Sequence, residues 1–150
     1  MGKWGQIGPA LVLLLACVTA PARGASTAHD VADFLSGGFD NGRTPEQMER
    51  SFRASFRCVY ARDGERIVGT ARALSDGVCN AYVVDMWTQS AYRRNGVGRQ
   101  MLELLCAALT GQHVYLFTDD QQRFYAACGF APRGTGMERV VGRWLQNDTR

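Results

Sequence analysis

The most constraining feature of the sequence is one continuous stretch, residues 81–105, in which an apolar strand is followed by a basic turn and an amphipathic helix. The turn and the helix start contain two glycines and three arginines: Arg93, Arg94, Gly96, Gly98 and Arg99. The unpaired N–H groups of a helix start, the helix dipole and the close approach that glycine allows all favour an anion such as phosphate. The stretch therefore predicts an anion-binding site between a strand and a helix.

Upstream of this stretch, the sequence predicts helices and an antiparallel meander. Thr44, Pro45 and Gln47 form the pattern of a capping box with proline at the first helical position, and this helix should extend to about Phe56. The segments that follow are separated by Asp-Gly turns, which is typical of strands in hairpins. A short helix is predicted at residues 29–35, and strands are predicted at residues 57–62, 66–74 and 78–88, the third central and buried on both faces.

Downstream, the helix that begins at the glycine turn should end at Gly111 and lead to a strand parallel to the preceding one, because a crossover helix connects the two. A further helix and a last strand complete the prediction. The segments are 113–118 for the parallel strand, 121–127 for the helix and 137–144 for the last strand. A length of 150 residues fits one such domain.

The first 25 residues differ in character from the rest. Lys3 precedes an apolar run from about Ile7 to Ala20, which is typical of a secretory signal peptide and is too short for a comfortable membrane span. We therefore divide the chain into a leader, residues 1–25, and a domain, residues 26–150. The leader is interpreted as a signal peptide or anchor, as a buried apolar helix, or as a stretch translated from an over-extended start codon.

Composition and spacing exclude several classes of site and partner. A net charge of +3 is far below that of a dedicated nucleic-acid binder, so no nucleic-acid partner is expected. The five cysteines and two histidines show no metal-ligand spacing, so no metal is expected either. Gly96-x-Gly98 has Met101 where a dinucleotide-binding motif has its third glycine, and no Gly-Lys-Ser/Thr of a Walker loop follows.

Two motifs together resemble the GNAT family of N-acetyltransferases. Arg93, Gly96 and Gly98 fill the fixed places of the family's motif Arg/Gln-x-x-Gly-x-Gly/Ala. Residues 124–130 resemble its Tyr-x-x-x-Gly-Phe segment, and the resemblance covers roughly residues 28–142. It implies an α/β GNAT fold, which is a mixed, mostly antiparallel sheet flanked by helices with a central parallel strand pair splayed to hold acetyl-CoA. It also implies a first strand just before His29.

The resemblance implies an acyltransferase that moves an acetyl group from acetyl-CoA to a primary amine by direct attack. Tyr125 would be the general acid, because a phenol pKa of about 10 lies close enough to a thiol pKa of about 8.5 for proton donation to the leaving sulfur. Asp85 would be the base, directly or through water, with a structural role as the alternative. The implied cofactor-binding residues are Met86, Trp87, Thr88, Arg93, Arg94, Asn95, Gly96, Val97, Gly98 and Arg99.

The partners follow from the same resemblance. The acceptor would be a small-molecule or peptide amine, and a homodimer is left open. We expect a cytoplasmic location, with export or membrane anchoring through residues 1–25 as the alternative, because the scattered cysteines do not indicate an oxidising compartment. The alternative function is a non-catalytic acyl-CoA-binding regulatory module. A weaker alternative is an exported or lipid-anchored protein whose fold no longer binds CoA.

Overall fold

The computed structural model describes residues 16–19 and 41–146. These residues form five strands, three α-helices and a short 3-10 helix at Ser90–Tyr92. In chain order the elements are β1 (Ala16–Thr19), α1 (Pro45–Arg53), β2 (Arg57–Asp63), β3 (Arg66–Ser75), β4 (Asn80–Thr88), α2 (Val97–Ala107), β5 (His113–Tyr115) and α3 (Gln122–Ala127). The helix predicted at residues 29–35 lies outside the described residues.

The five strands form one mixed sheet in the order β1-β2-β3-β4-β5. Neighbours from β1 to β4 are antiparallel, and β4 pairs with β5 in parallel across the crossover helix α2. The Asp-Gly turn between β2 and β3 has Gly64 at a φ of +58°, a conformation that glycine adopts without strain. The predicted meander, the parallel strand and the mixed sheet flanked by helices are confirmed.

The predicted capping box is present at the start of α1. The Thr44 hydroxyl accepts from the backbone N–H of Gln47 at 3.2 Å, and the Thr44 N–H donates to the Gln47 side chain at 2.9 Å. These two bonds satisfy backbone groups that a helix start leaves unpaired. They fix the point at which α1 begins and therefore the register of its apolar face.

The two faces of the sheet are covered by different helices. On one face, Met48 and Phe52 of α1 are buried against alternate residues of the strands, Cys58, Tyr60 and Ile67. On the other face, α2 buries four apolar side chains against the residues between them: Val97, Met101, Leu102 and Leu105 pack with Val59, Ala61, Val68, Ala71 and Ala73. This alternation follows the two-residue period of a strand.

β1 lies inside the segment predicted as a leader. It pairs antiparallel with β2, from Ala16 opposite Tyr60 to Thr19 opposite Arg57. The resemblance implied a first strand just before His29, whereas β1 is earlier in the chain. Residues 16–19 are thus part of the sheet, and the role of residues 1–25 as a signal or anchor stays a prediction. Within the described part of the chain, no helix has the length and hydropathy needed to cross a membrane.

Two predictions about strands are wrong. Residues 137–144 form no strand, and Met137, Val141 and Trp144 are 92%, 83% and 65% exposed. An apolar segment becomes a strand only where another strand offers unpaired backbone groups, and its sequence carries no information about that neighbour. β4 is also not buried on both faces: beyond Val83 its residues are half-buried, because β5 pairs only with Asn80–Tyr82.

Candidate functional site

The early end of β5 leaves a cleft beside the second half of β4. β5 pairs with β4 as far as Tyr82, and from there β4 keeps β3 as its neighbour, with Thr70 opposite Trp87 and Gly69 opposite Thr88. The opening has a volume of about 740 Å³. We define the cleft by its lining residues, which are Met86, Trp87, Thr88, Arg93, Arg94, Gly96, Val97, Gly98, Arg99, Asp120, Gln121, Phe124 and Tyr125.

A β-bulge marks the point where β4 leaves its partner. Thr70 pairs with Trp87 but Arg72 pairs with Val84, so β4 has one more residue than β3 in this interval. Within it, Asp85 has a φ of +51°, which is rare for a residue other than glycine. The Thr70 hydroxyl donates to the Asp85 carbonyl at 2.8 Å and holds this conformation. Such a bulge bends its strand and re-aims the residues that follow, here Met86–Thr88 at the cleft.

The glycine turn ends with exposed backbone donors. Gly96 is the N-cap of α2 at a φ of +79° and has no side chain that could cap the helix. The first N–H groups of an α-helix have no partner within the helix. The residues that carry those of α2, Val97, Gly98 and Arg99, line the cleft. Arg94 also has a positive φ, +63°, and adds a full positive charge there. The turn has the donors and the charge of an anion-binding site.

Two of the predicted arginines also form hydrogen bonds that connect the walls of the cleft. Arg93 Nε donates to the Thr88 carbonyl at the end of β4, at 2.9 Å. Arg99 Nη2 donates to the Ala127 carbonyl at the end of α3, at 3.1 Å. The sequence suggested only their charge, because the carbonyls they reach belong to other elements.

The far wall of the cleft is α3, which carries Tyr125. The Tyr125 ring contacts the Phe124 ring at 5.0 Å and the Phe130 ring at 6.0 Å between centroids, both edge to face. Burial, and to a lesser extent the charge of Cys128, raises the pKa of the Tyr125 phenol above its usual value. The phenol therefore keeps its proton at neutral pH and is suited to donate it.

The structure brings together most of the residues that the sequence predicted. All predicted cofactor-binding residues except Asn95 line the cleft, and so does Tyr125. Asp120, Gln121 and Phe124 line it as well and were not predicted. The sequence indicated these three residues only by their position, because they lie in or just before the predicted helix that carries Tyr125. Nothing in the local sequence indicated which of these side chains faces the cleft.

Asp85 lies apart from the cleft, on the α1 side of the sheet. Its carboxylate accepts two hydrogen bonds from Arg43, at 2.8 and 2.9 Å, and one from Arg72 at 2.5 Å. Burial alone would raise the pKa of Asp85, but the hydrogen bonds and charges of the two guanidinium groups outweigh it and hold the pKa below its usual value. A carboxylate bound in this way is a weak proton acceptor, so the geometry favours the structural role over that of a base.

The cleft holds no set of metal ligands. Among residues 16–19 and 41–146, no three His, Cys, Asp or Glu side chains are grouped so that they could bind a metal ion.

Comparison with known proteins gives a consistent result. Residues 28–130 match the model of the acetyltransferase (GNAT) family. The histone acetyltransferase TAP1 of Glycine max is 30% identical over 100 residues, which are 62% of this chain and 42% of that protein. A second Glycine max relative, the probable acetyltransferase TAP2, is 31% identical over 55% of this chain and 34% of its own length. The chain thus spans less than half the length of either curated relative.

Solved structures share the fold. A GNAT family acetyltransferase from Streptococcus pneumoniae aligns with a TM-score of 0.71 at 23% identity, covering 86% of this chain and 98% of that one. An acetyltransferase from Trypanosoma brucei aligns with a TM-score of 0.62 at 18% identity, covering 85% and 99%. At these identities the likeness concerns the fold alone.

Proposed function

The chain belongs to the GNAT acetyltransferase family, and we propose that it transfers an acetyl group from acetyl-CoA to a primary amine in the cleft. The observation that carries this proposal is that one cleft of about 740 Å³ is lined by the end of β4, the glycine turn and Tyr125 together. Phosphate binding, alignment of an extended arm and proton donation are the three things that a CoA-dependent acyl transfer needs.

Each wall of the cleft has its own part in the proposal. The N–H groups at the start of α2 and the charge of Arg94 bind the pyrophosphate of CoA. β5 pairs with β4 only as far as Tyr82, and beyond that point the main chain at Met86, which lines the cleft, aligns the amides of the pantetheine arm. The thioester then lies at the bulge in β4, within the reach of an amine that enters from the α1 side.

The reaction is a direct displacement. The amine nitrogen forms a bond to the thioester carbon while the carbon–sulfur bond breaks, and the electron pair of that bond leaves with the sulfur. Tyr125 protonates the leaving thiolate and regains its proton from water. Because Asp85 is held in ion pairs, the proton of the attacking amine passes to solvent in this proposal.

Titration calorimetry of the full chain with acetyl-CoA tests the binding step. The full chain is required because β1 lies within residues 1–25. Replacing Gly96 with alanine should weaken acetyl-CoA binding about tenfold, because a φ of +79° costs an L-residue about 1–2 kcal/mol and a relaxed turn moves the N–H donors. The new Cβ has room, with Gln100 at 3.7 Å, so the effect comes from the backbone.

Gly111→Ala is the matched control for this substitution. Gly111 has a φ of +83° with no heavy atom within 4 Å of an added Cβ, and it lies beyond the far end of α2. Both variants should lose similar thermal stability, whereas only Gly96→Ala should lose affinity for acetyl-CoA. Equal affinities in the two variants would remove the glycine turn from the binding site.

A further inference from the structure

The glycine turn is reached from β4 through the short 3-10 helix at Ser90–Tyr92. The backbone fixes where this passage begins: the Gln89 N–H donates to the Val68 carbonyl of β3 at 2.8 Å, and the Tyr92 N–H donates to the Gln89 carbonyl at 2.8 Å. Arg94 then has a φ of +63° and turns the chain toward α2. The direction of the N–H donors at the start of α2 therefore depends on how the chain is held just before Arg94.

The Tyr92 side chain holds this passage to the β2–β3 hairpin. Its hydroxyl donates to the Asp63 carboxylate at 2.5 Å, although the two residues are 29 positions apart in the sequence. Asp63 is the last residue of β2 and precedes Gly64 in the tight turn to β3. The Tyr92 ring packs against the apolar core between the sheet and α2. Tyr92 is thus fixed both by its ring and by its hydroxyl.

The bond between Tyr92 and Asp63 is charge-assisted. A hydroxyl that donates to an ionised carboxylate forms a shorter and stronger bond than one between neutral groups. The hydrogen bond to Asp63 raises the pKa of the Tyr92 phenol above its usual value, so the phenol keeps its proton and donates throughout the neutral pH range. Because Asp63 is exposed, the bond replaces hydrogen bonds to water and adds little to the stability of the whole fold.

Tyr92 and Asp63 act on the cleft through the residues that follow Tyr92. Among the described residues, the lining of the cleft includes Arg93 and Arg94 but neither Tyr92 nor Asp63. Arg93 Nε binds the Thr88 carbonyl at 2.9 Å, so the chain before the donors is held by side chains to both β4 and the hairpin. If the bond to the hairpin is lost, this part of the chain can shift, and the donors are no longer aimed at one anion in advance.

We propose that Tyr92 and Asp63 are positioning residues for the pyrophosphate of CoA, because their hydrogen bond preorganises the glycine turn. This inference rests on the proposed acetyl transfer and extends its CoA site beyond the cleft, to the tip of the β2–β3 hairpin. A preorganised site loses little free energy in ordering its donors when the ligand arrives, so its affinity is higher without any new contact. The effect belongs to binding and not to the chemical step.

The first test measures binding and needs no acetyl transfer. Titration calorimetry gives the Kd of CoA for the full chain, and displacement of CoA by inorganic pyrophosphate gives the Kd of the anion alone. Tyr92→Phe keeps the ring and removes the hydroxyl. It should raise both Kd values by the same factor of about five, the usual net effect of one hydrogen bond. A change elsewhere in the cleft would weaken CoA but not pyrophosphate.

Tyr115→Phe is the matched control. The Tyr115 hydroxyl also forms a hydrogen bond, with His113 at 3.3 Å, but on β5 rather than before the glycine turn. Its loss should leave both Kd values unchanged. A double-variant cycle then shows whether Tyr92 acts through Asp63. In the Asp63→Ala background, which lacks the acceptor, Tyr92→Phe should change either Kd by less than about twofold.

Kinetics separate positioning from catalysis. Tyr92→Phe should raise KM for acetyl-CoA about fivefold and change kcat by less than about twofold, because the hydroxyl contributes to binding alone and Tyr125 is untouched. A fall in kcat with an unchanged KM would contradict a positioning role.

The binding outcomes separate this inference from the function it rests on. If Tyr92→Phe binds CoA and pyrophosphate like the parent, or if its loss of affinity persists in the Asp63→Ala background, the bond does not position the turn, even in an active enzyme. If the loss affects both ligands and disappears in that background but no amine is acetylated, the positioning role stands and the acetyl transfer fails. A parent that binds neither CoA nor pyrophosphate would overturn both.

Discussion

Replacing Tyr125 with phenylalanine is expected to lower kcat for acetyl transfer by about 100-fold to 10,000-fold, the usual contribution of a general acid. The substitution removes only the hydroxyl, so the edge-to-face contacts of the ring with Phe124 and Phe130 are kept. Affinity for acetyl-CoA, measured by calorimetry, should therefore change by less than about twofold, because the lost interaction acts at the transition state.

Tyr115→Phe provides the control. Tyr115 lies on β5, is 44% exposed and contacts His113 rather than the cleft, so the loss of its hydroxyl should leave kcat unaltered. Since burial raises the pKa of Tyr125 above its usual value, its phenol keeps its proton throughout the neutral pH range, and the parent should show no fall in rate from this group there. A Tyr125→Phe enzyme as active as the parent would show that another group protonates the sulfur.

Replacing Asp85 with alanine is expected to lower the free energy of unfolding by about 3–5 kcal/mol, the cost of removing one partner from a buried ion pair. The substitution leaves the guanidinium groups of Arg43 and Arg72 beside each other with side chains 8% and 11% exposed. The Thr70 hydroxyl keeps its partner, because that partner is the backbone carbonyl of residue 85. Denaturant unfolding measures the loss as a lower midpoint at an unchanged slope.

An exposed ion pair on α1 provides the control for Asp85→Ala. Glu49 and Arg53 of α1 pair at 2.7 Å with side chains 37% and 60% exposed, so Glu49→Ala should cost no more than about 0.5 kcal/mol. If Asp85→Ala costs no more than Glu49→Ala, the ion-paired group does not support the fold. An Asp85→Ala variant that keeps the stability of the parent but loses activity would instead indicate a catalytic base.

The pH dependence of stability further separates a structural role of Asp85 from that of a catalytic base. The pKa of Asp85 is lower in the folded than in the unfolded protein, so the carboxylate stabilises the fold above its unfolded pKa of about 3.9. This contribution is lost as the pH falls through the folded pKa. The difference in stability between the parent and Asp85→Asn should therefore be full at pH 6 and should shrink below about pH 4.

Features with a local cause could be predicted from the sequence. The capping box at Thr44 needs only residues within one helical turn, and the glycine turn before α2 needs only a strand, two glycines and a helix in sequence. Because these signals are complete within a few residues, the anion-binding start of α2 and the helix with Tyr125 were predicted at nearly the correct positions.

Features that depend on distant neighbours could not be predicted. Arg43 lies 42 residues from Asp85 in sequence. The ion pair that favours a structural role for Asp85 over that of a base therefore has no local signal in the sequence. β1 is a strand because β2 offers it an edge, although its sequence is typical of an apolar leader. Residues 137–144 show the converse case. Their apolar pattern predicts a strand, but without a neighbouring strand to pair with they remain irregular.

The central claim, that this chain transfers acetyl groups, is tested most directly by the release of free CoA thiol from acetyl-CoA in a screen of primary amines. The mass of each product is measured by mass spectrometry. We predict thiol release that depends on both protein and amine, and a product heavier than the amine by one acetyl group. Acetyl-CoA binding without amine-dependent thiol release for any amine would contradict the claim and would indicate an acyl-CoA-binding module that lacks the chemistry.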